Sequence, residues 1–429
     1  MPSLLSPSLL FTYAFTTALV LGLGLKVWLA SRQIRSVARH RGAVPTDFEG
    51  HVTPAAHQRA ADYTIAKTRF GMLELALSSA VLLGWTLLGG LDALNKTLLA
   101  WLGGGMLQQL ALLACFALIG GVIDLPLQWW QTFVIEQRYG FNQMRPRLWV
   151  ADLVKSTLVA AVIGLPLAAL VLWIMQAAGS LWWLWAWGVL VAFNLAMMVV
   201  YPLWIAPLFN RFQPLEDEAI KTRVSELMRR CGFTAKGFFV MDGSRRSAHA
   251  NAYFTGLGHA KRVVFFDTLL RQLSPDEVQA VLAHELGHFK HRHVLRRMLG
   301  VFVLSLAGLA LLGWLAARGW FYTGLGVQPN LTLDASAPNN ALALLLFMLA
   351  VPVFTVFITP LFAQLSRRDE FQADAYAARQ ASRSDLRSAL LKLYQDNAST
   401  LTPDPVYARF YYSHPPASER LTHLAHVPS

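Results

Sequence analysis

The chain has 429 residues, 55% of them hydrophobic and only 14% charged, with 37 Lys and Arg against 25 Asp and Glu, a formal net charge of +12. A mean hydropathy of +0.41 and long apolar blocks exclude an ordinary soluble protein and point to membrane spans. The positive charge lies between those blocks, so membrane lipids and not nucleic acid are the expected partner, and Cys115 and Cys231 form no spacing motif for a disulfide framework or a Cys-based metal site.

In chain order, Met1 to Leu25 carries no charged side chain. A cleaved signal peptide needs a basic leading region, so this stretch reads as an uncleaved first span. Lys26, Arg32, Arg35, Arg39 and Arg41 follow, then a polar connector to Arg69. Further spans are expected at about Leu73–Leu91 and Leu98–Ile123, with Asp124 facing the bundle interior or water. Glu136 to Lys155 is a mixed-charge loop containing Tyr139-Gly-Phe-Asn142. Ser156 to Asn210 has no charge and is too long for one crossing of a ~30 Å core, so a break at Ala177–Ser180 divides it into two spans. Trp182, Trp183, Trp185 and Trp187 just past that break read as interfacial aromatics.

Residues 211–297 look the most soluble. Glu216 to Arg230 reads as an amphipathic helix, and Gly237–Met241 and Val263–Phe266 as short strands flanking Asn251-Ala-Tyr-Phe-Thr-Gly256. Ser274 is placed to cap a helix, with Glu277 closing a capping box. A sixth span is expected at Met298–Ala317 and a seventh at about Ala341–Leu365. Their connector holds the sequon Asn330-Leu-Thr332, which matters only in a glycosylating lumen. Seven spans put nearly all Lys- and Arg-rich connectors on one side, with 211–297 and the C-terminal tail. The positive-inside rule makes that side cytoplasmic and the N-terminus external.

The chemistry starts in the capped helix, at His284-Glu285-Leu-Gly-His288. Histidines four apart share one helical face and suit a single Zn²⁺, with Glu285 beside them as base for an activated water. In the tail, Glu370 and Asp374 are also four apart. Glu370 is the best candidate for a third ligand, and Asp374 for the acceptor of the second ring N–H of a ligand histidine, most naturally His284. Glu370 follows the seventh span by five residues and His288 precedes the sixth by ten. The metal would then sit within about 6 to 15 Å of the bilayer face, where a membrane-associated substrate can reach it. His291 and His293, among Lys290, Arg292, Arg296 and Arg297, read as a headgroup-facing surface. His414, before Pro415-Pro416, is structural or catalytic, and Asn251 is open to an ordinary turn role.

Over nearly its whole length the chain resembles the type I CaaX prenyl endopeptidases. The resemblance rests on Val134-Ile-Glu-Gln-Arg-Tyr-Gly-Phe-Asn142, Pro207-Leu-Phe-Asn-Arg-Phe-Gln-Pro-Leu215, Asp242-Gly-Ser-Arg-Arg-Ser247, Asn251 to Gly256, the H-E-L-G-H, Glu370-Phe-Gln-Ala-Asp374 and His414-Pro-Pro, all in order. It implies a mainly α, polytopic protein whose seven or so transmembrane helices form a hollow barrel, joined to a small α+β zinc-protease domain. It implies one Zn²⁺ per chain on His284, His288 and Glu370, and Glu285 as catalytic base. Asp374 becomes a supporting residue or proton donor, with Asn251 and His414 lining the cleft and steadying the substrate carbonyl. Family members remove the last three residues after a prenylated cysteine, and some make a second, upstream cut.

The expected organisation is a membrane domain at 1–206, a protease segment at 207–297, two spans at 298–366 and a second protease segment at 367–429. The substrate is a peptide or protein, prenylated or otherwise membrane-associated. A quality-control protease without a prenyl requirement is the nearest alternative, and a non-enzymatic scaffold or transporter with a residual metal site a remoter one. The ending His426-Val-Pro-Ser429 has no evident ER-retrieval signal, which favours a bacterial cytoplasmic membrane over an ER membrane.

Overall fold

The computed structural model describes residues 6–233, 237–255, 262–330 and 337–427. Gly256 and Thr332 therefore lie outside the described residues. The first half is a run of long helices: α1 (Pro7–Arg39), α2 (Pro54–Trp85), α3 (Gly90–Leu102), α4 (Met106–Trp130), α5 (Pro146–Ala177), α6 (Trp182–Val200) and the short α7 (Ala206–Phe209). The protease-like segment follows as β1 (Phe212–Pro214), α8 (Glu218–Arg230), β2 (Gly237–Met241), β3 (Ala252–Thr255), β4 (Arg262–Phe266), α9 (Asp267–Gln272) and α10 (Pro275–Lys290). The chain then returns to long helices with α11 (His293–Ala316), α12 (Gly319–Thr323), α13 (Asn340–Thr355) and α14 (Thr359–Gln380). It ends on α15 (Arg383–Asp396), α16 (Pro405–Tyr411) and α17 (Ala417–His426).

Among the described residues six helical stretches are long and apolar enough to cross a membrane, and α2 with α3, bent by 47° at their break, makes a seventh when taken as one span. Large apolar side chains stay exposed along them, Val162, Trp173, Trp204 and Val303 among them. In water such a surface would aggregate; in lipid it needs no covering. The expected third span is displaced: Leu98 lies inside α3, which belongs to the second crossing, and Gly103 and Gly105, both at positive φ, separate α3 from α4. Two further readings change. Trp182 is buried, and Trp187 donates Nε1–H to the Phe302 carbonyl at 2.9 Å, so this cluster largely packs α6 against α11 and leaves Trp185 exposed. Asn330 is buried and hydrogen-bonded to Asn95 and to the Pro338 carbonyl, so the sequon asparagine is structural.

The spans enclose space. A cavity of about 760 Å³ lies among α1, α2, α4 and α13, and Lys26, Glu74 and Asp124 line it, so both intramembrane acids face space inside the bundle and not the lipid. A second, of about 600 Å³, opens beneath the C-terminal helices.

The sheet runs β1-β2-β4-β3, with β2 and β4 parallel and the outer pairs antiparallel. The segment flanked by the two expected strands is thus itself a strand, β3, at the sheet edge. Apolar faces of α8, α9, α10, β4 and α15 close one core around Val224, Phe265, Val278 and Ala283. The membrane core is separate and centres on Phe15, Leu172, Phe321 and Leu346. Arg32 and Gln33 of α1 tie the two halves together by binding Asp404 ahead of α16.

Candidate active site

Helix α10 starts where its sequence says. The Ser274 side chain accepts from the Glu277 N–H, and Glu277 accepts from the Ser274 N–H at 2.7 Å, satisfying two donors of the first turn. Glu277 also accepts from Ser388 and Lys392, locking α10 onto α15. Further along, Gly287 lets α14 come close: a Cβ there would stand 2.9 Å from Ala373 Cα. Helix α14 continues the seventh crossing past the bilayer, so this contact brings a chain segment from the far end of the sequence against His284 and His288.

Three donors meet at that crossing. Nε2 of His284 and Nε2 of His288 are 3.2 Å apart, and each is 3.4 Å from an oxygen of Glu370. Tetrahedral ligands about 2.0–2.1 Å from one ion stand ~3.3 Å from each other, so the set fits a single divalent metal. The charge balance says the same. Glu370 Oε2 is buried with no hydrogen-bond partner. Burial alone would raise the Glu370 carboxyl, yet His284, 3.4 Å from that oxygen, holds it at about 2. Burial works against protonating His284, but Asp374 and Glu370 outweigh it and hold the ring up at about 9. Burial and that His284 charge push His288 down to about 4. The three groups therefore compete for positive charge at one point, and a divalent cation is the natural occupant.

Each histidine is held from behind by a different device. His284 Nδ1 is 2.8 Å from Asp374 Oδ1, in the orientation expected from the four-residue spacing. Arg420 of α17 grips the same carboxylate in a fork, 2.8 Å to Oδ2 and 2.6 Å to Oδ1, with all three groups buried. Burial would raise the Asp374 carboxyl, but Arg420 and His284 keep it well below the usual carboxylate range. That favours the supporting role for Asp374 over proton donation. Arg420, six residues after His414, carries no signal in the sequence, and only the packing of α17 against α14 reveals it.

His288 leans on a residue that the sequence reading put at the headgroups. His293 is 1% exposed, its Nδ1 lies 2.9 Å from His288 Nδ1, and its Nε2 lies 3.0 Å from Gln372 Oε1. Arg292, at φ +55°, makes the left-handed turn between α10 and α11 that carries His293 back under the site. That backbone reversal left no sign in a run of basic residues.

Glu285 is half-buried, burial raises its carboxyl, and it enters no hydrogen bond or ion pair among the described residues. His414 places Nε2 3.3 Å from Glu370 Oε1 while its side chain stays 64% exposed toward the 600 Å³ cavity. Asn251, exposed ahead of β3, caps the Ala252 N–H with its own side chain at 2.8 Å and contacts none of the three donors.

Comparison with known proteins matches the fold and both halves of the chain. Residues 33–211 match a family model described as CAAX prenyl protease N-terminal, five membrane helices, and residues 214–427 match Peptidase family M48. The CAAX prenyl protease 1 homolog of Arabidopsis thaliana is 33% identical, over 88% of this chain and 89% of its own length. CAAX prenyl protease 1 of Saccharomyces cerevisiae is 36% identical, over 75% and 72%. The crystal structure of S. mikatae Ste24p superposes with a TM-score of 0.89 at 28% identity, covering 96% of this chain and 99% of the other.

Proposed function

The chain belongs to Peptidase family M48, and from that premise we propose that this multi-pass membrane metalloendopeptidase is a zinc enzyme cutting prenylated peptides near their C-terminus. The observation that carries the metal assignment is the trio of donors from His284, His288 and Glu370, spaced as one ion requires. Two imidazoles and one carboxylate, with room for a water, suit Zn²⁺ better than the all-oxygen preferences of Mg²⁺ or Ca²⁺. When bound, the metal polarises the scissile carbonyl and lowers the pKa of its water toward ~7.

The residues do the rest. A carboxylate oxygen of Glu285 takes the proton of the attacking water and later delivers it to the leaving amine. His414 Nε2 faces the open side of the cluster and donates to the carbonyl oxygen as negative charge develops there. Asp374, fixed by Arg420, holds His284 with Nε2 toward the metal. Among the described residues β3 is an edge strand, and an extended substrate can add to its outer side as a fifth strand. Asn251, at the start of that edge, meets the substrate as it passes.

The membrane cavity among the spans, lined by Leu19, Leu23, Leu75 and Phe116, suits an isoprenoid or lipid chain. The basic connectors that flank the protease segments support a cytoplasmic active site. On this reading 1–206 and 298–366 are the membrane segments, and 207–297 and 367–429 together form the protease.

The test is cleavage by the purified protein of matched farnesylated and unprenylated peptides and of an unfolded membrane protein, with Glu285→Ala as control. Preferred cleavage of the farnesylated peptide three residues from its end is expected, and silence of the control. Equal cleavage of all three substrates would replace prenyl processing with a quality-control role.

A further inference from the structure

The 600 Å³ cavity holds more than His414. Its wall carries two histidines, five tyrosines and several hydroxyls and amides, but among the described residues no aspartate or glutamate and a single permanent cation, Lys67. The volume is within the range of small-ligand sites. Lys67 projects from α2 with its side chain 46% exposed. Its Nζ lies over the Tyr63 ring at 4.9 Å and donates to the Tyr63 hydroxyl at 3.3 Å.

What fixes this wall is the motif stretch ahead of Tyr139. Gln131 to Glu136 is π-helical and delivers Glu136, which accepts from the Tyr63 hydroxyl at 2.7 Å and lies 3.7 Å from His249 Nε2. His249 is stacked on Phe141 at 4.3 Å, and its Nδ1 is 3.2 Å from Asn397 Oδ1. Glu136 does not line the cavity and is 18% exposed; Lys67 stands 3.9 Å in front of it. The assembly therefore presents a cation, a hydroxyl and an imidazole to the cavity and keeps its anion behind them.

Direction along β3 gives this wall a ligand. Antiparallel pairing is the more stable ladder, and a peptide so added to β3 runs its C-terminal end past Asn251 toward His249, on the cavity wall two residues earlier. We propose that this cavity binds the free C-terminal carboxylate of the substrate, with Lys67 as its counter-charge and Tyr63 and His249 as its hydrogen-bonding neighbours. The inference rests on the proteolytic reading above and adds a reason for a cut counted from the chain end: a cation at a fixed place measures the distance from carboxylate to scissile bond.

The experiment compares two farnesylated peptides identical except for a free or an amidated C-terminus, using wild type, Lys67→Gln and Lys67→Arg, with melting temperature in detergent as the folding check. Binding of the released tripeptide, as acid and as amide, is measured in parallel on Glu285→Ala protein with and without Lys67→Gln. A charge-assisted contact predicts that wild type favours the acid in kcat/KM and in tripeptide affinity by about 10- to 100-fold. Lys67→Gln should bring both ratios close to one, and Lys67→Arg should restore most of the preference. A wild type indifferent to amidation, or a preference that survives Lys67→Gln in a folded protein, overturns the anion site. Failure of wild type to cleave either peptide counts against the proteolytic reading instead, and the tripeptide affinities still decide the anion site.

Discussion

His284 and His288 sit one turn apart on α10 and offer the same atom to the same point, yet they are held by opposite means. Behind His284 stands a charged pair, Asp374 and Arg420, fully buried and closed into a fork. Behind His288 stands a relay of imidazole and amide, His293 and then Gln372, with the Asp369 carboxylate 3.6 Å from His293 Nε2. A relay of this kind sets a tautomer: if His288 Nδ1 donates to His293 Nδ1, His293 Nε2 donates to Gln372, and His288 Nε2 is left as a lone pair. The charged support does the same for its ring and adds negative charge. One device is strong and intolerant of losing a partner; the other is weaker and more forgiving.

Substitutions can break or sharpen that contrast. Glu285 lies between the two histidines and supports neither, so Glu285→Ala should lower kcat by about 10²–10⁴ or more while metal content is unchanged. Loss of metal in that variant would make Glu285 part of the support. Asp374→Ala strands Arg420 in the core, and breaking a buried pair costs about 3–5 kcal/mol, so a clear fall in melting temperature should accompany loss of metal. Arg420→Met should be less harmful than Asp374→Ala, because the Asp374 carboxylate left behind keeps His284 as a partner, whereas Asp374→Ala takes from Arg420 its carboxylate. Gly287→Ala forces α10 and α14 apart and should cost about 1–3 kcal/mol, read as a lower melting temperature with metal bound more weakly. His293→Leu should weaken metal affinity about 10-fold with little change in melting temperature, and His293→Asn, whose amide can still accept from His288, should recover part of it. Equal losses of affinity and stability in Asp374→Ala and His293→Leu would erase the distinction.

Much of this was legible before any coordinates. Spacing of four on a helix, a capping box and the apolar blocks are local patterns, and the donors His284, His288 and Glu370, the Ser274 cap and the count of seven crossings were all read from them. What escaped depended on how distant segments meet. Arg420 acts only because α17 packs on α14, and His293 only because Arg292 takes a left-handed turn. The tryptophans that open the fifth span read as interfacial by composition, but the carbonyl of Phe302 and the bare surface of Gly313 recruit two of them for helix packing. Lys67 and Glu136 are far apart in sequence, and no pattern within either segment connects them.

The central claim is that α10 and α14, ninety residues apart at His284 and Asp374, close one metal site between them. It is tested most directly by metal analysis of wild type, Glu285→Ala and Glu370→Ala after exhaustive dialysis. Stoichiometric zinc in the first two, and its loss from a still-folded Glu370→Ala, is the expected result. Full zinc retained by Glu370→Ala would contradict it and leave the histidines of α10 with some other partner.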